Sequence, residues 1–156
     1  MWDRDRSGFA EAMGCNVFGL ELADVRPYWK AFEIQSKVLM ADASDIPFKD
    51  SAFDFVFTPD VMEHIPERNV LNVLKEINRI GSKYFFFIIH TGKENLPIEA
   101  LTDGEKVRIF THICRKSPGW WGKKLTEANY GEIDFVINGN HVLFICSKYK
   151  GCRDWS

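Results

Sequence analysis

Residues 39–65 read LMADASDIPFKDSAFDFVFTPDVMEHI, and this stretch decides the architecture. Its start completes a short apolar run, Val38 to Ala41, that stops at Asp42; its middle holds another, Phe53 to Phe57, that leads to Asp60. Runs this short and this apolar suit strands covered on both faces, as in a parallel sheet. Upstream, Val17 to Leu22 after Gly14 is a third run of the same kind.

Downstream the period changes. Between Pro66 and Ile80, Val70, Leu71, Leu74 and Ile77 fall on one side of a helix, with Val73 and Ile80 on its flank. Pro66 in the first turn, Glu67 beside it and Gly81 just past the end are matching start and stop signals. Tyr84 to Ile89 is the most apolar strand and claims a central, two-sided place. Ser117 and Pro118 cap and open a second helix, in which Trp121, Leu125 and Ala128 share a face. Ile133 to Ile137 and His141 to Ser147 flank Asn138 and Gly139, which predicts an antiparallel hairpin with those two residues in its turn. Between the Tyr84 strand and the second helix, Asp103 and Gly104 mark a turn, and Val107 to Phe110 fits strand or helix equally. Alternating strand and helix followed by a hairpin describes a three-layer α/β sheet, mostly parallel with an antiparallel end.

The 156 residues, 46% of them hydrophobic, fill one core, so the expectation is a single domain over residues 1–156. A formal charge of -2 lacks the electrostatic footprint of a nucleic-acid binder, which leaves a small ligand or a protein as the expected partner. No apolar run approaches the roughly 18 residues of a membrane span. The N-terminal MWDRDRSGFAEAM has no apolar stretch of a secretion signal, so a cytoplasmic location is expected. Cys15, Cys114, Cys146 and Cys152 include no CxxC pair and no His at ligand spacing; thiols rather than a zinc site or disulfides are expected, and no metal.

In open α/β sheets ligands bind beyond the carboxyl ends of the strands. Three runs here end near acids: Glu21, Asp42 and Asp60. A carboxylate so placed can accept both hydroxyls of a ribose, or an exocyclic amine. Such carboxylates also cap helices or face water.

Taken together, these segments resemble class I S-adenosylmethionine-dependent methyltransferases. Residues 39–65 are similar to the middle of that Rossmann-like family, with its acidic strand end, Pro-Phe loop, Phe-Asp strand and Glu-His-Ile helix entry; VFGLELAD (17–24) resembles the preceding strand with its ribose-binding acid. KYFFFIIHT, SPGWWGKKLTEANY and the closing hairpin fall where the family places its fifth strand, last helix and final strands. The resemblance covers roughly residues 8 to 149. It implies S-adenosylmethionine as cofactor, Glu21 on the ribose, Leu22 against the adenine, Asp42 at the adenine amine and Ala43 offering a backbone amide to the ring. It also implies that the backbone near Thr58 receives the methionine ammonium.

One departure stands out. The family opens with a strand and a glycine-rich loop, whereas WDRDRSGFAEAM offers Gly8 alone with no apolar strand before it. Loss of a middle strand leaves two edges without partners, at about 1–3 kcal/mol per buried unpaired group. The expectations are that the neighbouring strands pair directly, that a second copy or partner chain completes the sheet, or that the chain is a truncated coding product.

Methyl transfer is an in-line displacement, so the protein chiefly aligns the acceptor and removes a proton where the acceptor atom carries one. Asp60 is the first base candidate and His112 the second. Glu63 and His64 match the family's Glu-His pair, but their place at a helix start assigns them to capping and packing. His90 and Thr91 are expected to line the pocket, and Trp120 and Trp121 to pack on the sheet. Two functions follow: a methyltransferase acting on a small-molecule acceptor, or a methyltransferase-fold binding or scaffold protein that has lost the cofactor loop. A nicotinamide enzyme is a weaker third, because its glycine fingerprint is absent.

Overall fold

The computed structural model describes residues 12–22, 37–92, 98–102, 105–109 and 112–151, with the backbone alone for 98–109. The chain divides into two compact units, Met1–Pro47 and Phe48–Ser156.

In the first unit, β1 (Gly19–Glu21) and β2 (Val38–Met40) form a parallel pair with Glu21 opposite Met40. Parallel pairing requires a crossover connection, which the length between the two strands allows. Both strands are shorter than the apolar runs that predict them. The pair holds beyond its last register position, since the Ala41 amide donates to the Glu21 carbonyl at 3.0 Å.

The second unit contains β3 (Phe53–Pro59), a 3-10 turn (Met62–His64), α1 (Glu67–Ile80), β4 (Gly81–His90), α2 (Pro118–Glu127), β7 (Tyr130–Asn138) and β8 (His141–Lys148). Between β4 and α2, β5 (Ile98–Thr102) and β6 (Glu105–Ile109) form a separate antiparallel pair, which resolves Val107 as strand. Asp103 and Gly104 lie outside the described residues. The main sheet has the order β3-β4-β8-β7, with β3 and β4 parallel and the other two pairings antiparallel. The architecture is thus α/β with an antiparallel end. No described strand joins the β1–β2 sheet to this one.

α1 buries Val70, Val73, Leu74, Ile77 and Ile80. Leu71 is only partly covered, so the buried stripe is centred nearer Val73 than the sequence spacing suggests. Pro66 is the N-cap rather than a helical residue. Gly81 ends α1 and starts β4 in one step, its backbone extended rather than left-handed. Its lack of a side chain serves another purpose: a Cβ there would collide with the Phe85 ring. Phe85, Phe87 and Ile89 of β4 and Val142, Phe144 and Cys146 of β8 are buried with Trp121 and Leu125 of α2. Tyr130 stacks edge-on against Phe85 and Phe87 and donates its hydroxyl to the Leu74 carbonyl at 2.8 Å. The Asn78 amide donates to the Ala128 and Asn129 carbonyls at 2.8 and 3.0 Å, tying the end of α1 to the end of α2. Ser117 caps α2 as expected, its hydroxyl accepting from the Trp120 amide at 3.3 Å.

The hairpin turn sits one residue later than predicted. Asn138 pairs with His141, so Gly139 and Asn140 form the loop. Gly139, at φ 58°, takes the first loop position, where a type II′ turn requires positive φ. No helix among the described residues is long and apolar enough to cross a membrane.

Candidate functional site

Two groups of polar residues stand at carboxyl ends of parallel strands, one in each unit. In the first unit Glu21 is the last residue of β1, and Asp42 lies two residues past β2. Adjacent parallel strands therefore bring both carboxylates to one sheet edge. The Ser44 amide donates to Asp42 Oδ1 at 2.7 Å. That hydrogen bond holds the Asp42 carboxyl below the usual carboxylate range and keeps it an anionic acceptor. Ala43 sits inside this turn, and Leu22, directly after Glu21, is 68% exposed. Gly8 lies outside the described residues.

In the second unit the end of β3 and its continuation carry Thr58 and Asp60. Thr58 Oγ1 is buried with no hydrogen-bond partner. Asp60 has φ 51°, a left-handed conformation that Asp adopts more readily than most residues, and its amide donates to the Ile88 carbonyl at 2.8 Å. Its carboxylate Oδ1 lies 3.5 Å from His141 Nε2.

Around this strand end the fold gathers every histidine of the sequence, which has four. His90 ends β4, and its register partner is His141 at the start of β8. Ring centroids are 5.0 Å apart for His90 and His141, 4.5 Å for His90 and His112, and 4.9 Å for His64 and His112. His112 arrives because the segment that bears it is tied to the 3-10 turn: the Cys114 amide donates to the Glu63 carbonyl at 2.9 Å. Burial, then the neighbouring His64, lowers the His112 pKa below the imidazole norm, so its ring is neutral at neutral pH. Burial lowers His90 likewise, with His112 and His141 adding to the effect.

Glu63 departs from its sequence assignment. It caps no helix: its side chain is fully buried and Oε1 accepts from the His90 amide at 3.1 Å. Burial raises its pKa above the usual carboxylate value. His141 was outside the sequence-predicted set; the β4–β8 register places it opposite His90. Trp121 is buried against the sheet as expected, while Trp120 stacks edge-on against it with Lys116 and Lys124 over its ring.

The methyltransferase domain family profile matches residues 6–87. An uncharacterized protein of Methanocaldococcus jannaschii is 32% identical over 124 residues, covering 78% of this chain and 48% of that protein. The chain spans less than half the length of the curated relatives it matches. Among solved structures, an S-adenosylmethionine-dependent methyltransferase from Mesorhizobium loti superposes with TM-score 0.66 at 10% identity, covering 91% of this chain and 85% of that one. A second, the 1,6-didemethyltoxoflavin-N1-methyltransferase of Burkholderia thailandensis with bound 1,6-didemethyltoxoflavin and S-adenosylhomocysteine, gives TM-score 0.62 at 14% identity, covering 94% and 67%. With a family profile over more than half of its length and the fold of such enzymes, the chain belongs to the class I methyltransferase family, whose cofactor is S-adenosylmethionine.

Proposed function

We propose that this chain catalyses methyl transfer from S-adenosylmethionine to a small-molecule acceptor. The observation that carries this reading is the pair Glu21 and Asp42 at one edge of the parallel β1–β2 sheet. In the first unit the donor set suits the adenosyl part of the cofactor. Glu21 accepts from the ribose hydroxyls, Asp42 from the adenine amine, Ala43 offers its amide to the ring and Leu22 supplies apolar surface to it. The orphaned Thr58 Oγ1 and the backbone beside it suit a cationic donor such as the methionine ammonium. Gly8 is the candidate for close approach of backbone to the methionine end. When bound, the sulfonium supplies the methyl group.

The chain's own task is then orientation and proton removal. Asp60, held by the Ile88 carbonyl and adjoining His141, takes the proton from a hydroxyl or amine acceptor. His112, neutral and half-buried, is the second base in the same cluster. A small-molecule acceptor is supported by the Burkholderia structure, which holds one. We read residues 1–156 as one domain of cytoplasmic location, binding neither nucleic acid nor membrane. A second copy or partner chain pairing with β3 is the arrangement that would complete its sheet.

The test is S-adenosylhomocysteine formation across a panel of small amines, phenols and carboxylates. Turnover above the acceptor-free rate is expected, with Asp60→Asn lowering it by about 10²-fold or more at unchanged cofactor affinity. Cofactor binding without turnover on any member would favour the scaffold reading, and full activity in Asp60→Asn would remove Asp60 as the base.

A further inference from the structure

We propose that Glu63, His64 and His112 form a binding site for one divalent transition-metal ion, with zinc the best match. One carboxylate oxygen and two imidazole nitrogens from these residues lie within 4.8 Å of one another. A tetrahedral ion with bonds of about 2.0–2.2 Å sets its ligand atoms roughly 3.4 Å apart. A modest rotation closes the difference, and His64, the exposed member of the three, has room to make it.

The buried carboxylate points to a cation independently of that spacing. Glu63 has no exposed surface, yet its Oε2 is buried without a hydrogen-bond partner. An isolated carboxylate oxygen in such a place is costly unless a charge or donor meets it. Its other oxygen is fixed by the His90 amide, the outer-shell bond that sets a ligating carboxylate in position. The backbone is arranged for the same end. Glu63 and His64 are neighbours in a 3-10 turn, and the Cys114 amide bond to the Glu63 carbonyl carries His112 to that turn. Behind them, His90 packs its ring on His112 and fixes the plane of the ligand.

Two imidazoles and one carboxylate form a donor set that zinc takes in sites with a fourth position open. The sequence expectation of no metal rested on the spacing of the cysteines and of histidines relative to them, and this site uses no cysteine. With a metal in place His112 is a ligand, and Asp60 alone remains to accept the proton. The inference stands on the geometry of the second unit and does not depend on cofactor binding.

The test is titration of the full chain, freed of metal by chelator, with Co²⁺ and Zn²⁺ in the absence of S-adenosylmethionine. One equivalent of Co²⁺ is expected to give the intense visible absorption of a four- or five-coordinate ion, displaced by one equivalent of Zn²⁺. His64→Ala, at an exposed position, and His112→Ala are each expected to weaken binding at least about tenfold. Cys15→Ser, the exposed thiol of the first unit, should leave it unchanged. Absence of stoichiometric binding, wild-type affinity in either histidine variant, or loss in Cys15→Ser would overturn the assignment.

Discussion

The two faces of the β3-β4-β8-β7 sheet are built from the same kinds of residue and meet different surroundings. On one face Phe85, Phe87, Ile89 and Phe144 are buried under α1 and α2. On the other, Phe55 is 57%, Phe57 47% and Tyr84 47% exposed, with Phe55 and Tyr84 stacked at 6.0 Å. An apolar run states what a strand could bury, whereas only a packed partner turns that surface into stability. The face under the helices holds the fold together.

Substitutions on the two faces sharpen this contrast. The largest loss is expected for Phe87→Ala, which empties a fully buried site and removes the ring contact with Tyr130; about 3–5 kcal/mol should be lost in chemical denaturation. Gly81→Ala drives a methyl into the Phe85 ring on the same face and should cost about 1–3 kcal/mol, with a shift in the aromatic circular dichroism. Ser117→Ala removes the cap of α2, for about 1 kcal/mol. Phe55→Thr, on the open face, should cost less than about 1 kcal/mol. A loss equal to that of Phe87→Ala would break the comparison.

Thiol chemistry reads burial without mutation. Burial, aided by Asp134, pushes the Cys146 thiol up to about 12. Site-resolved alkylation at pH 8 should label Cys15 and spare Cys114 and Cys146 until the protein unfolds. Because the folded-state pKa lies above the ordinary value of 9.0, the stability linked to Cys146 is present in full below about pH 9. It falls as pH rises towards 12, with a limiting slope of about 1.4 kcal/mol per pH unit.

What the sequence made legible follows from how local each signal is. The α1 helix, the Ser117 cap and the central β4 strand depend on neighbouring residues and form as expected, except that the α1 stripe turns away from Leu71 and one face of β4 leaves Tyr84 exposed. The hairpin was legible in kind but not in register, because Asn138-Gly139 and Gly139-Asn140 both suit a two-residue loop and only cross-strand pairing chooses between them. The acids Glu21 and Asp42 stood out in the sequence because each lies at or near the end of an apolar run. The histidine cluster was not, since its members come from the 3-10 turn, β4, the segment before α2 and β8. No spacing along the chain foretells a convergence made by β4–β8 register and the Cys114–Glu63 bond. Glu63 was assigned to capping because Glu near a helix start usually caps; it lies instead inside the 3-10 turn Met62–His64 that precedes α1, with its side chain buried.

The central claim is that the β1–β2 edge holds an adenosyl group through its carboxylates. Calorimetric titration with S-adenosylmethionine and S-adenosylhomocysteine, on the wild type and Glu21→Ala, tests it most directly. Saturable binding of both ligands is expected, weakened by about 1–3 kcal/mol in the variant, the scale of a lost charged hydrogen bond. No heat with either ligand, or equal affinity in Glu21→Ala, would contradict it.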